Sequence, residues 1–300
     1  MSYSDHSLSR LDLVGRFETG SGYAENGSIR IRYRTFGAGP AILLQHGFPD
    51  TDLTFAAQVA ELARDHLVIT PTLRGYPPSS VPSDPGAYVL TELAEDIAAV
   101  LDHLGIGQAT VGGHDWGGGV AQAFTLAHPE RVTGMILMNS PISMPFRRLV
   151  NHDAAQQELS KYTIPFIEYE QGDPKDVSSV THAIRDDAWR ASVDAYIAES
   201  PLHGMLNYYR VNYPGPPYGA PQPENLTPYV YHVPSLVIWG VEDEFFSLKI
   251  LNDLPLWFAE PLRLVTVPRA GHWVFQDQPD LVNSEIRSWL ARPRPDSISN

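Results

Sequence analysis

The stretch Val111-Gly112-Gly113-His114-Asp115-Trp116-Gly117-Gly118-Gly119 constrains this chain more than any other. An apolar strand, Ala109 to Gly112, runs into it, and a helix is expected to leave it near Trp116. Its Gly-x-nucleophile-x-Gly form belongs to a sharp strand-to-helix turn. Glycines two before and two after the central residue let the backbone crowd together and lift one side chain above a sheet. Here that side chain is the carboxylate of Asp115. With a reference pKa of about 3.9 it can attack carbon directly, whereas a serine first needs a base to take its proton. A glycine-rich turn carrying a surface aspartate is the competing reading, and other parts of the chain must decide.

The flanking sequence predicts the scaffold such a turn needs. Ser28 to Arg34 alternates apolar and polar residues, as a half-exposed edge strand does, and Gly37 to Pro40 reads as a turn. Ala41 to Leu44 is continuously apolar, as in a strand covered on both faces, and it ends in His46-Gly47-Phe48-Pro49. A helix over Leu53 to Arg64, a strand over His66 to Thr70 and a helix from Thr91 to Leu104, stopped by Gly105, lead to the turn. After it come helix through Ala127 and a strand from Gly134 to Met138. This alternation is the signature of a largely parallel sheet with helices on both faces, an α/β fold. The pattern lapses from about Pro141 to Val233, where Tyr, Trp, Pro and short helical runs dominate and Pro214 to Pro223 reads as an irregular loop. Strands return at Ser235 to Trp239 and Leu262 to Val267, before a closing helix over Asp280 to Leu290. The expected organisation is a core of residues 1–140 and 234–300 with a helical cap, 141–233, inserted into it.

A nucleophile needs a histidine to manage protons and an acid to orient that histidine. Both follow in order: Asp243 in the turn after the strand ending at Trp239, and His272 in the loop after the next strand. Glu242 is a weaker candidate for the acid, and Glu244 reads as solvated surface charge. A lone His after Gly is usually structural, but three candidates at three successive strand ends make coincidence improbable. Composition narrows the partners. A net charge of −14 disfavours nucleic acid and anionic membrane surfaces. The absence of cysteine rules out a thiolate nucleophile and a cysteine metal site. The N-terminal MSYSDHSLSRLDLVGRF lacks the features of a signal peptide, and no apolar run approaches ~20 residues, so a soluble cytoplasmic protein is expected. Oligomeric state stays open.

The chain resembles the α/β-hydrolase superfamily over essentially its whole length, and within it the Asp-nucleophile branch that holds epoxide hydrolases and dehalogenases. His46-Gly47-Phe48-Pro49 resembles the family's oxyanion loop, Gly113 to Gly118 resembles the epoxide hydrolase elbow, and Arg74-Gly75-Tyr76 is similar to a third family segment, with Pro77 in place of the usual glycine. The resemblance implies that Asp115 forms an alkyl ester on a small hydrophobic epoxide. Water activated by His272, itself held by Asp243, would then hydrolyse the ester, with the backbone N–H groups of Phe48 and Trp116 receiving the oxyanion. No cofactor or metal enters this chemistry. The cap segment Asn207-Tyr208-Tyr209-Arg210 resembles the one whose tyrosine, matched by Tyr209, protonates the epoxide oxygen; plain packing of Tyr208 and Tyr209 is the alternative. The second phenol typical of epoxide hydrolases falls at Phe166, so that Tyr169 or Tyr162 would have to replace it. Phe166, Tyr169 and Tyr208 are thus expected substrate contacts. Dehalogenation is the runner-up: Trp116 matches a halide-holding indole, but Phe48 stands where haloalkane dehalogenases have Asn, and Pro165-Phe166 where fluoroacetate dehalogenases have His-Trp. A non-catalytic binding protein on the same fold is a third reading.

Overall fold

Chain order and sheet order diverge at the centre of the molecule, and that divergence places the site. The structure, a computed structural model, describes residues 10–292; the first nine residues of the N-terminal stretch read above lie outside the described residues. Eight strands form one sheet: β1 (Glu18–Asn26), β2 (Ile29–Phe36), β3 (Ala41–Gln45), β4 (Leu67–Pro71), β5 (Ala109–His114), β6 (Val132–Met138), β7 (Ser235–Gly240) and β8 (Leu262–Val267). Their order is β1-β2-β4-β3-β5-β6-β7-β8, antiparallel at β1, β2 and β4 and parallel from β4 onward. The order reverses between β3 and β5. Open α/β sheets bind ligands in the crevice beyond the carboxyl ends of strands at such a switch point.

The central strands β3, β5, β6 and β7 are almost wholly buried, which accounts for their uninterrupted apolar runs. The expected edge strand is a correction: β2 has neighbours on both sides, and the true edge is β1. The segment Glu18–Asn26, ETGSGYAEN, carries little apolar alternation, so its strand character comes from pairing with β2 rather than from its own pattern.

The helix Leu90–His103 buries Leu93, Ile97, Val100 and Leu101 on one face and stops where Gly105 takes a φ of 68°. The helix after the turn begins at Asp115 itself, one residue earlier than expected, and runs to Ala127. Between β6 and β7 the chain is helical, with its longest members at Ser143–His152, Asp187–Glu199 and Leu202–Asn212. Polar stitches join this segment to the loops of the sheet. The Tyr208 hydroxyl donates to the Arg74 carbonyl at 2.8 Å, Tyr196 to the Pro77 carbonyl at 2.7 Å, and Asn212 Nδ2 to the Tyr88 carbonyl at 2.8 Å. Pro77, at a position expected to be glycine, thus serves through its carbonyl, which proline retains. Arg74 is itself buried against Asp96, with Nε to Oδ2 at 2.9 Å. Among the described residues no helix is long and apolar enough to cross a membrane.

Candidate active site

Asp115 occupies the carboxyl end of β5 with φ at 50°, a left-handed conformation that costs a non-glycine residue about 1–3 kcal/mol. That strain is tolerated because the neighbouring positions leave no alternative path. A Cβ on Gly117 would collide with the carbonyl oxygens of Gln45 and His46, and one on Gly47 would collide with Asp115. The close approach brings the oxyanion loop onto the carboxylate. The Phe48 N–H donates to Asp115 Oδ1 at 2.8 Å, and the Trp116 N–H, at the start of the helix, also reaches the carboxylate.

β7 and β8 deliver the other two members to the same edge. His272 Nδ1 donates to Asp243 Oδ2 at 2.8 Å, while its Nε2 stands 3.8 Å from Asp115 Oδ2. The latter separation is too long for a hydrogen bond, and it leaves Nε2 free to act on a third group beside the carboxylate. Glu242 and Glu244 face outward, paired with Arg185 and His182 at 2.7 Å each. Burial raises the Asp115 carboxyl above its ordinary range, opposed by His272 and by the N–H groups of Phe48 and Trp116. Burial pulls the other way on His272, but the charge and hydrogen bond of Asp243, followed by the charge of Asp115, outweigh it and the net direction is up.

Three polar residues that sequence reasoning missed hold this arrangement. Asn139, just beyond β6 with φ at 40°, donates Nδ2 to Asp243 Oδ2 at 2.6 Å and accepts the Gly240 N–H at 2.8 Å. Asp243 Oδ1 takes the Phe245 N–H at 2.9 Å, so both oxygens of Asp243 are fixed. His114 packs against His272 with its ring tilted, centroids 4.4 Å apart, and with its Nε2 3.1 Å from the His272 carbonyl. A carbonyl only accepts, so Nε2 carries the proton; burial keeps the ring neutral by lowering its pKa well below the ordinary value. Asp50, next after the oxyanion loop and fully buried, accepts the indole N–H of Trp273 at 2.9 Å, that of Trp189 at 3.0 Å, the Thr51 N–H at 3.1 Å and the Thr54 hydroxyl. One carboxylate therefore ties the oxyanion loop to the residue after His272 and to the helix Asp187–Glu199. No sequence signal marked it, because its indole donors lie 139 and 223 residues away in the chain.

Asp115 opens into a cavity of about 670 Å³. Its walls are apolar apart from a few polar groups, among them Tyr162 and Tyr209. The two phenols act on each other and on Asp115 electrostatically, and burial holds both well above the ordinary tyrosine value, so they stay protonated. Tyr209 is wedged edge-on between Phe48, Phe166 and Trp116, with centroids at 5.4, 5.3 and 5.1 Å. Three expected substrate contacts need correction. Phe166 does not line the cavity but packs behind Tyr209 and Tyr162. Tyr169 lies past the end of the helix Ile164–Glu168, its phenol toward Asp173 and its carbonyl accepting from Arg210. Tyr208 does not line the cavity, and its hydroxyl donates to the Arg74 carbonyl. Of the two residues offered for a second phenol, Tyr162 is the one the fold brings to Asp115.

This constellation on a doubly covered parallel sheet defines a class. The chain belongs to the α/β hydrolase fold family, whose sequence profile matches residues 40–279. Within that family it is similar to epoxide hydrolase 3 of Xenopus tropicalis, 29% identical over 299 residues that cover 91% of this chain and 79% of the relative. Among solved structures it resembles one of novel epoxide hydrolases from metagenomes of hot environments, with 29% identity, TM-score 0.76 and coverage of 91% and 99% of the two chains. It also resembles the Bacillus megaterium epoxide hydrolase in complex with an inhibitor, with 25% identity, TM-score 0.73 and coverage of 90% and 100%.

Proposed function

We propose that this protein is an epoxide hydrolase that opens an epoxide to a vicinal diol through a covalent ester on Asp115. The observation that carries the reading is the convergence of two protonated phenols, Tyr162 and Tyr209, on the cavity into which Asp115 opens. Asp115 Oδ2 attacks a ring carbon, the carbon–oxygen bond breaks, and a phenol of the pair gives its proton to the departing alkoxide. The ring oxygen remains tethered as the hydroxyl of a hydroxyalkyl ester. Water then loses a proton to His272 Nε2 and attacks Cγ of Asp115. The negative charge that develops falls on Oδ1, which already accepts the Phe48 N–H, with the Trp116 N–H also close to the carboxylate. Collapse expels the alkoxide, which takes the proton left on the attacking water's oxygen, so that diol and carboxylate are released, and the proton on His272 returns to the phenolate.

The same machinery supports dehalogenation as a second reading, favoured by one observation: the indole of Trp116 lines the cavity beside Asp115. A halide leaves without needing a proton, so the phenols would be idle in that reaction.

The test is a His272→Gln variant given a terminal epoxide. A mass increase equal to the epoxide on the peptide containing Asp115 is expected, and full turnover would overturn the mechanism. Wild-type single turnover in ¹⁸O-water should place label in Asp115. Halide release from a haloalkane panel, with no diol from any epoxide, would select the second reading.

A further inference from the structure

The helix that leaves the elbow carries three consecutive glycines, and the turn accounts for only two of them. A Cβ on Gly117 would stand 2.2 Å from the Gln45 carbonyl oxygen, and one on Gly118 2.2 Å from the Ser140 hydroxyl. Gly119 differs. A Cβ there would find its nearest neighbours, Leu90 Cδ2 and Trp116 Cε3, at 3.9 Å each, an ordinary van der Waals distance. The residue lies inside the helix Asp115–Ala127, and its φ is outside the left-handed region that favours glycine. In such a place glycine weakens the helix relative to alanine, because it loses more conformational freedom on folding. Neither packing nor backbone geometry therefore calls for glycine at 119. The cavity does. Gly119 lines it together with Asp115 and Trp116, and is half-buried where Gly117 and Gly118 are buried. Residues four apart on a helix share a face about 6 Å apart, so a group bonded directly to a ring carbon held at Asp115 lies over position 119, between Leu90 and Trp116.

We infer that Gly119 is a specificity-determining residue, and that the space left by its single hydrogen admits a broad apolar substituent, aryl or branched, carried directly on the epoxide ring. The inference rests on the epoxide reading and adds the class of substrate. A linear alkyl chain is narrow enough to pass beside a methyl group, so only a broad substituent makes use of the glycine. The walls it meets, the Leu90 side chain and the Trp116 ring, are apolar and suit an aromatic or branched group. Each carbon added at 119 is taken from the substrate's share of the same space, which ties helix stability and substrate breadth together in opposite directions.

The experiment measures kcat/KM for styrene oxide and for 1,2-epoxyoctane, which have the same number of carbons but a broad and a narrow substituent, in the wild type, Gly119→Ala and Gly119→Val. The ratio of the aryl to the linear substrate should fall about threefold in Gly119→Ala and about tenfold or more in Gly119→Val. Thermal unfolding of the same proteins supplies a readout that activity does not: Gly119→Ala should raise Tm by about 1–3 °C, because alanine is the better helix former and has room there. A glycine kept for the fold gives the opposite result, a lower Tm with both substrates losing alike. A ratio that stays within about twofold of the wild type in Gly119→Val, a ratio that rises, or a Tm that falls in Gly119→Ala would each overturn the inference. The wild type separates the two proposals. If it releases diol from no epoxide, the reading of the reaction has failed, whereas turnover with an unmoved ratio in the variants removes only the assignment of Gly119.

Discussion

The strand edge and the helical segment above it contribute to one cavity by different physics. Asp115, Asp243 and His272 sit at the ends of β5, β7 and β8, and parallel pairing fixes their positions: His114 faces Met138 across to β6, and Met138 faces Ile238 on β7. A strand cannot slip by one residue without turning its whole apolar set to the wrong face. Tyr162 and Tyr209 have no such ladder. Their reach depends on the rotation of short helices held by aromatic packing and by a few stitches such as Tyr208 to Arg74. The proposed nucleophile at the end of β5 is therefore rigidly registered, while the proposed proton donors ride on a more adjustable surface.

The comparison breaks most severely at the strand edge. Asp115→Ala should lower kcat/KM by about 10⁴-fold or more, because nothing else in the cavity can bond to carbon, and His272→Gln should do the same to turnover while sparing ester formation. Measuring burst and steady state separately distinguishes the two. In the helical segment the effects should be smaller and shared. Tyr209→Phe and Tyr162→Phe should each cost about 10- to 100-fold in the ring-opening step, and the double variant about 10³-fold. A double variant no worse than either single one would mean that only one phenol serves, and undiminished rates would return the reaction to a leaving group that needs no proton.

Asp50 tests the joint between the two regions. Asp50→Asn keeps the shape but replaces an acceptor by a donor facing indole and hydroxyl protons, so it should cost about 2–4 kcal/mol of stability in denaturant titration. If the joint matters for function as well, kcat falls at temperatures where the variant is still fully folded. A variant with native stability would show that the indoles find other partners.

The same contrast explains what could be read from the sequence. The elbow, the oxyanion loop and the two later triad positions were legible because each combines a residue type with a strand end, and strand ends can be located from continuous apolar runs such as Ala41 to Leu44 and Ser235 to Trp239. Tyr162 was named only as an alternative because a residue's face on the four-residue turn Ser160–Thr163 cannot be fixed by periodicity, and the position five before Gln171 is Phe166. Tyr208 does not line the cavity that Tyr209 lines, because adjacent residues on a helix point about 100° apart. Asn139 and Asp50 left no pattern of their own, since their importance lies in partners 104 and 139 residues away. β1 was missed because its sequence acquires strand geometry only from its neighbour.

The smallest expected effect lies in the pH dependence of the two chemical steps. In the resting enzyme the net direction of the His272 pKa is up, driven by Asp243 and, to a lesser extent, by Asp115. As pH falls through that raised value the imidazole becomes an imidazolium and can no longer accept a proton from water, so hydrolysis of the ester is lost on the acid side. In the proposed mechanism, ester formation would remove the charge on Asp115, and with it one of the interactions favouring the imidazolium, while Asp243 remains in place at 2.8 Å. The base in the intermediate should therefore titrate at a lower pH than the same histidine in the free enzyme. NMR titration of His272 in the resting protein, set beside the pH profile of ester hydrolysis in single turnover, reads both values. A profile whose acid limb coincides with the resting titration, or lies above it, would mean that the charge at the elbow does not reach the imidazole across 3.8 Å, and that the two ends of the strand edge are less tightly coupled than their geometry implies.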